Sequence, residues 1–400
     1  MDIKYFFNRY KNKIIYPVAL FLCFAVIFSL GYWAGDKMSY CVHQPGTIDF
    51  SLFWDAYNKL KQNYINPKDI NDEKIIYGAI EGMTNSLDDP YTAFFNPTEA
   101  KKFQDDLSGS FDGIGVEIGI KKELLTVIAP LKNTPGEKAG LKSGDIITQI
   151  NGESTANMTT DDAVDIIRGK RGTAVTLTIY REDWKDTKDI EIIRDKIVIP
   201  SMEWEIVNEN IAHVEIYQFG DTLLNDFNYA ANQILKSGAE KIVLDLRNNP
   251  GGYLETARKI ASYFLSPDQT VAIEDFGEGK EQTIYKTDGN HILQKYPLVV
   301  LINQGSASAS EILAGALRDN RGIKLIGEKS FGKGSVQEVV YLKGNSFLKI
   351  TIAKWLTPNG SSISEVGLEP DIKIMEENSD DNSEKDVQLE KALEIISNLK

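Results

Sequence analysis

Lys241-Ile242-Val243-Leu244-Asp245-Leu246-Arg247-Asn248-Asn249-Pro250-Gly251-Gly252 is the stretch on which the fold turns. Lys241 to Leu246 is nearly continuous in apolar residues, the pattern of a parallel strand covered on both faces. The Asn-Pro-Gly-Gly that follows predicts a tight turn presenting bare N–H groups, suited to an oxyanion hole, although an ordinary turn uses the same letters. The alternation repeats outward from here. Ile211 to Ile216 reads as a strand and Thr222 to Leu235 as a helix. Pro297 to Ile302 is a second buried strand, with a helix from Ser310 to Leu317 behind it, and Lys324 to Gly327 and Phe347 to Trp355 add further strands. Strands alternating with helices predict an α/β layered domain, assigned to residues 183–375.

Upstream, residues 109–182 change to short strands with glycine turns. Val127-Ile128, Asp145 to Ile150 and Val175 to Tyr180 read as strands, with a hairpin signal at Asn151-Gly152. Thr160 to Ile167 is the one substantial helix there, with Ala163, Val164 and Ile167 facing inward. The segment resembles a PDZ domain through Gly113-Ile114-Gly115-Val116, Pro135-Gly136-Glu137-Lys138-Ala139-Gly140-Leu141 and Gly144-Asp145-Ile146-Ile147.

Residues 48–108 read as helical. Phe53, Trp54, Tyr57, Leu60, Lys61 and Tyr64 recur at helical spacing and predict one buried face. Asn71-Asp72-Glu73 opens a second helix, which Asp88-Asp89-Pro90-Tyr91 breaks. Further upstream, residues 14–35 carry no charge, enough for a transmembrane helix. Lys4, Arg9, Lys11 and Lys13 in residues 1–13 precede it, and by the positive-inside rule the N-terminus is cytoplasmic and the rest extracytoplasmic. A cleaved signal peptide is the rival, but the run is long for one and Tyr32-Trp33-Ala34 lacks the small-residue pattern of a cleavage site. Residues 36–47 form a linker. Residues 376–400 pair an acidic, disordered stretch with a C-terminal helix carrying Leu389, Leu393 and Ile396 on one face.

The chain has 400 residues, 42% hydrophobic and 26% charged, which suits a multidomain globular protein. Its net charge of −14 argues against nucleic-acid binding. Two cysteines, Cys23 and Cys41, and three scattered histidines, His43, His213 and His291, offer no metal-ligand spacing, and neither metal nor cofactor is expected.

Ser306-Ala307-Ser308-Ala309-Ser310-Glu311 places a serine among small residues at a helix start, where backbone N–H groups favour negative charge. Ser308 with Glu311 equally fits a capping box. Some 25 residues on, Phe331-Gly332-Lys333-Gly334-Ser335-Val336-Gln337 places a lysine between glycines. Burial lowers a lysine's pKa and leaves an amine able to take a serine proton. Gln337 is a candidate to orient that amine, provided a bulge or turn brings it close. Gly327 to Lys333 also matches the start of a phosphate-binding loop, but Gly334 replaces the required serine or threonine and a strand follows instead of a helix.

With these motifs in hand, the chain resembles a carboxyl-terminal processing peptidase, or tail-specific protease, over most of its length. The resemblance implies Ser308 as nucleophile, Lys333 as general base, Gln337 as its orienting partner, and an oxyanion hole of the Ala309 N–H with that of Gly251 or Gly252. It implies that the PDZ domain captures protein or peptide C-termini in the loop Gly113-Ile114-Gly115-Val116, with Leu141 and Ile167 as pocket walls. Arg168, ending the PDZ helix, is either a regulatory contact to the catalytic domain or a solvated helix-end cation. A binding protein on an inactive scaffold is the alternative, although it would not need both Ser308 and Lys333. A histidine-based hydrolase lacks a placed histidine. Helical arms at both ends fit a homodimer.

Overall fold

The computed structural model describes residues 48–375 and 386–399. Residues 1–13, the expected anchor at 14–35, the linker at 36–47 and residues 376–385 of the acidic stretch lie outside the described residues. Among the described residues no helix is long and apolar enough to cross a membrane. The chain forms two units, divided after Ile76.

The first unit contains α1 (Ser51–Asn63), a 3-10 turn and the start of α2 (Asp72–Asn85). Asn71 Oδ1 accepts from the N–H groups of Glu73 and Lys74 and so opens α2 where the sequence predicted. Tyr57 Oη and Lys61 Nζ converge on Asp72 at 2.8 and 2.9 Å. The expected buried face is not buried. Trp54 is 55% exposed, and Leu60 and Tyr64 are exposed with it, because this small unit offers the stripe almost nothing to pack against.

The second unit opens with β1 (Ala93–Phe95) and α3 (Pro97–Ser108), the latter capped reciprocally by Asn96 and Glu99. There follow β2 (Ser110–Gly113), β3 (Val116–Lys121), β4 (Leu124–Pro130), α4 (Pro135–Lys138), β5 (Ile146–Ile150), β6 (Glu153–Ser154), α5 (Thr160–Ile167), β7 (Ala174–Tyr180), β8 (Lys188–Ile193) and β9 (Asp195–Val198). Strands β3-β4-β5-β7-β8 form one antiparallel sheet, whose core of Val127, Ile147, Ile150, Val175, Leu177 and Ile179 closes over α5 through Ala163 and Ile167. Asn151 and Gly152 both take positive φ, the requirement of the predicted two-residue hairpin turn. The sheet runs past the boundary at 182 expected from sequence. β8 pairs residue for residue with β7, across a charged turn, and so belongs to this sheet and not to the layered domain to which the sequence assigns residues from 183 on.

The third part is the layered domain. It comprises β10 (Met202–Val207), β11 (Ile211–Ile216), α6 (Leu223–Ile234), β12 (Lys241–Asp245), α7 (Leu254–Phe264), β13 (Thr270–Asp275), β14 (Thr283–Lys286), β15 (Leu298–Ile302), α8 (Ala309–Arg321), β16 (Lys324–Gly327), β17 (Ser335–Tyr341), β18 (Phe347–Leu356), β19 (Ile372–Lys373) and α9 (Val387–Ser397). The central sheet runs β10-β11-β12-β15-β16-β19, parallel except at the β10–β11 edge. Helices α6, α7 and α8 cover one face. α9 covers the other, with Ala392 and Ile396 packed on Val243, Val299 and Leu301. Both faces are therefore dry, as the continuous apolar strands required. The turns after β12 and β15 emerge at the carboxyl ends of adjacent parallel strands, where open α/β sheets place their sites. A second sheet joins β1, β18, β13 and β14, with β17 also on β18.

Candidate active site

Three serines stand at the start of α8, and the fold separates their tasks. Ser306 Oγ donates to the Leu246 carbonyl at 2.8 Å and accepts from Asn303 N–H, while Ser310 Oγ donates to the Asn249 carbonyl at 3.0 Å. Both are buried rivets between the β15 turn and the β12 turn. Ser308 opens the helix in a capping box with Glu311 and lines a cavity of about 420 Å³. Its backbone sits at φ 55°, ψ −113°, a sharp turn that a non-glycine residue adopts only when its surroundings hold it there. The same kind of strained turn projects the nucleophile in other serine hydrolases.

Glu311 does much of that holding. Its side chain is fully buried, and Oε2 accepts from Ser308 N–H (2.9 Å) and Lys333 N–H (3.0 Å), Oε1 from Ser330 Oγ (2.6 Å) and Gly332 N–H (2.7 Å). Ser330 Oγ itself accepts from Leu368 N–H, so all four groups are donors and the site suits an ionised carboxylate. Burial pushes the Glu311 carboxyl up from its ordinary value, and the four donors oppose that. One carboxylate thus ties the backbone of Ser308 to that of Lys333.

Lys333 lines the same cavity, just before β17, with its Nζ 5.7 Å from the Tyr91 ring centroid. Burial lowers its pKa, against the field of Glu311. No hydrogen bond joins Lys333 Nζ to Ser308 Oγ among the described residues. The flanking glycines serve the protein's own packing: a Cβ on Gly332 or Gly334 would collide with the chain at 363–367. Gln337 also lines the cavity, and a bulge does occur beside it, where Ile352 of β18 is left unpaired. Its Nε2, however, donates to Ser335 Oγ at 2.6 Å, and the structure does not join it to Lys333.

The turn after β12 supplies the remaining wall. Gly251 N–H is spent on Asn249 Oδ1 (2.9 Å), and Asn249 Nδ2 is anchored on the Ile216 carbonyl. The N–H groups of Gly252 and Ala309 meet no acceptor among the described residues, and both residues line the cavity. Gly251, at φ 97°, cannot carry a side chain, since a Cβ would stand 2.6 Å from the Ala307 carbonyl oxygen and 2.8 Å from Ser308 Cβ. Asn248 and Asn303 exchange hydrogen bonds of 2.8 and 2.9 Å and lock the two turns together. Leu254, Ile312, Val336 and Trp355 make the cavity apolar next to the serine.

In the PDZ-like part, Gly113 to Val116 lead into β3, an edge strand open to an added strand. Ile114, Leu141 and Ile167 come together there, and all three are buried in the domain's own core. Arg168 ends α5, stacks over the Phe111 ring at 4.2 Å and reaches Asp106 Oδ1 of α3 at 3.4 Å. Asp106 in turn borders the cavity. Arg168 is therefore not a free solvated cation, and its partner is α3 and not the layered domain.

From the sequence Glu311 is seen only as a helix cap and Asn249 only as part of a turn, and Asn303 and Lys349 are overlooked. A glutamate facing a buried helix start opposite a glycine-rich loop was the available signal for Glu311. The two asparagines resemble any turn asparagine until the turns meet.

A half-buried serine on a strained turn, a desolvated amine and unspent N–H groups, joined to a PDZ-type sheet, define a class: serine peptidases carrying a PDZ domain. Comparison with known proteins agrees. Residues 210–374 match peptidase family S41, residues 126–181 a PDZ domain, and residues 41–98 the activating protease CtpB N-terminal domain. The carboxy-terminal processing protease CtpA of Bacillus subtilis is 37% identical over 82% of this chain and 69% of its own length. A CtpA-like serine protease of Staphylococcus haemolyticus is 40% identical over 80% of this chain, a match that spans 63% of that relative. The structure of the photosystem II D1 C-terminal processing protease superposes over 81% of this chain and 92% of its own, with TM-score 0.51 and 28% identity. The chain belongs to peptidase family S41 and carries a PDZ domain.

Proposed function

We propose that this chain is a membrane-anchored serine endopeptidase that cleaves proteins recognised by their C-terminal tails, with Ser308 as nucleophile and Lys333 as base. The observation that carries this reading is the convergence on one cavity of Ser308, on its strained turn, and the desolvated Lys333 amine. Ser308 Oγ attacks the peptide carbonyl as Lys333 Nζ takes its proton. The N–H groups of Gly252 and Ala309 hold the oxyanion, with Gly251 serving as the close-approach residue of the turn. On collapse the lysine ammonium returns the proton to the leaving amine, and water then hydrolyses the acyl-enzyme. Gln337 orients the amine once its amide leaves Ser335.

The missing Ser308–Lys333 hydrogen bond suits a resting state that needs a trigger. A tail adding a strand to β3, its carboxylate at Gly113 to Val116, would shift α5 and with it Arg168, whose contact with Asp106 leads to the cavity wall. The uncharged run at 14–35 after a basic lead supports an anchor with the peptidase outside the cytoplasm. The exposed aromatic stripe of α1 supports a homodimer.

The test is cleavage of a protein bearing a free apolar C-terminal tail, by the parent, Ser308→Ala and Lys333→Ala. Loss in both variants is expected, and equal turnover by all three defeats the dyad. Arg168→Ala is expected to bind the tail and cleave slowly. N-terminal sequencing of membrane-extracted protein tests the anchor.

A further inference from the structure

A second lysine faces the cavity and has no part in the chemistry above. Lys349 sits in β18, paired with Val339 of β17 and Ala93 of β1. Its Nζ lies 5.2 Å from the Phe95 ring centroid and 5.6 Å from that of Phe103. Among the described residues it makes no ion pair and no hydrogen bond. A half-buried ammonium ordinarily finds a carboxylate. This one is given two phenyl faces, which themselves favour a cation.

The charged and titratable groups facing the two amines are few. Around Lys349 they are Lys333 and Asp89, whose carboxylate is held by Thr92 Oγ1 and Tyr91 N–H, and Asp106, paired with Arg168, lines the same cavity. Around Lys333 they are Glu311, the Tyr91 ring and Lys349. Burial lowers the pKa of both amines; the charge of Lys333 lowers that of Lys349 further, while Asp89 opposes. Two ammonium groups in one desolvated cavity repel, and one proton is the first to leave. Lys349 has two rings and the field of Asp89 to keep its proton. Lys333 has one ring and the field of Glu311, whose oxygens give its amine no hydrogen bond because four other donors take them.

We propose that Lys349 keeps Lys333 neutral, holding the shared proton between Phe95 and Phe103 and repelling a second charge from the base. This rests on the Ser308–Lys333 reading. Lys349 makes and breaks no bond; it is a positioning residue that acts through the protonation of Lys333.

At a separation on the order of 10 Å, Coulomb coupling at an effective dielectric of about 20 moves a neighbour's titration by roughly one pH unit. Lys349→Met keeps the stem and removes the charge; Lys349→Arg keeps the charge. Acetylation of Lys333 by acetic anhydride against pH, read by mass spectrometry in a full-length Ser308→Ala background, reports the amine directly. The kcat/KM–pH profile with Ser308 present reports its use. For Lys349→Met, the Lys333 acetylation midpoint and the acid limb are both expected to rise by about one pH unit, with kcat/KM recovering at high pH. Lys349→Arg is expected to keep the parent's values. An unmoved Lys333 midpoint in folded Lys349→Met, or an arginine variant that behaves like the methionine one, overturns the proposal. A midpoint that moves while cleavage is indifferent to Lys333→Ala supports the coupling and sinks the dyad instead. Should Lys349→Met not fold, Lys349→Gln carries the same measurement.

Discussion

Glu311→Gln is the sharpest test of how this site is held. Each carboxylate oxygen of Glu311 accepts two hydrogen bonds, and all four partners are donors. Glutamine retains one acceptor oxygen and turns the other position into an NH₂ group facing two donors. Two hydrogen bonds to a charged acceptor are lost, at about 1.5–3 kcal/mol each, so the fold should weaken by roughly 3–5 kcal/mol after local relaxation. In either amide orientation a bond to the loop at 330–333 that carries Lys333 is lost. Misplacement by about 1 Å can cost 100-fold, and kcat/KM per folded molecule should fall at least about that far. Urea unfolding followed by circular dichroism gives the first number, and tail-substrate cleavage at a temperature where the variant is folded gives the second. A variant that unfolds at the parent's midpoint refutes the hydrogen-bond reasoning. One that is weakened in stability but cleaves at the parent's rate refutes the positioning role.

Other expectations follow from the same geometry. Gly251→Ala forces a Cβ against the Ala307 carbonyl and Ser308, and should lose about 10²–10³ in kcat/KM with its circular dichroism spectrum kept. The burial of Lys333 depresses its pKa, so kcat/KM should rise with pH and reach half-maximum below the 10.5 of an ordinary lysine. Lys333→Arg, which cannot give up its proton, should show no such rise, and an unchanged profile would remove lysine as the base. Asp386 pairs with the half-buried Arg247 at 2.7 Å and caps α9 through Leu389 N–H. Asp386→Ala should cost about 1–3 kcal/mol in chemical unfolding, counting the cap and a partly exposed ion pair. No change would show that α9 is held by its apolar face alone.

Much was legible in the chain because its signals are local. The apolar run at Lys241 to Leu246 needs both faces covered wherever it lies, and α6, α7, α8 and α9 cover them. Asn151-Gly152 requires positive φ at two successive positions and forms the predicted hairpin. β8 escaped notice because a charged turn separates it from β7, and only pairing reveals it. The stripe of α1 has helical spacing, but spacing does not say what will cover it. Trp54 remains exposed.

By itself the sequence determined the α/β layering, the PDZ-like insert and the serine and lysine motifs, since periodicity and turn chemistry depend on near neighbours. Only the tertiary structure decided which backbone groups are available. Gly251 N–H is consumed by Asn249 Oδ1, whose amide is anchored on the distant Ile216 carbonyl, while the N–H groups of Gly252 and Ala309 meet no acceptor among the described residues. It also decided that Glu311 serves two loops and that Lys349 shares the cavity of Lys333, because burial and Coulomb coupling depend on distance in space and not along the chain.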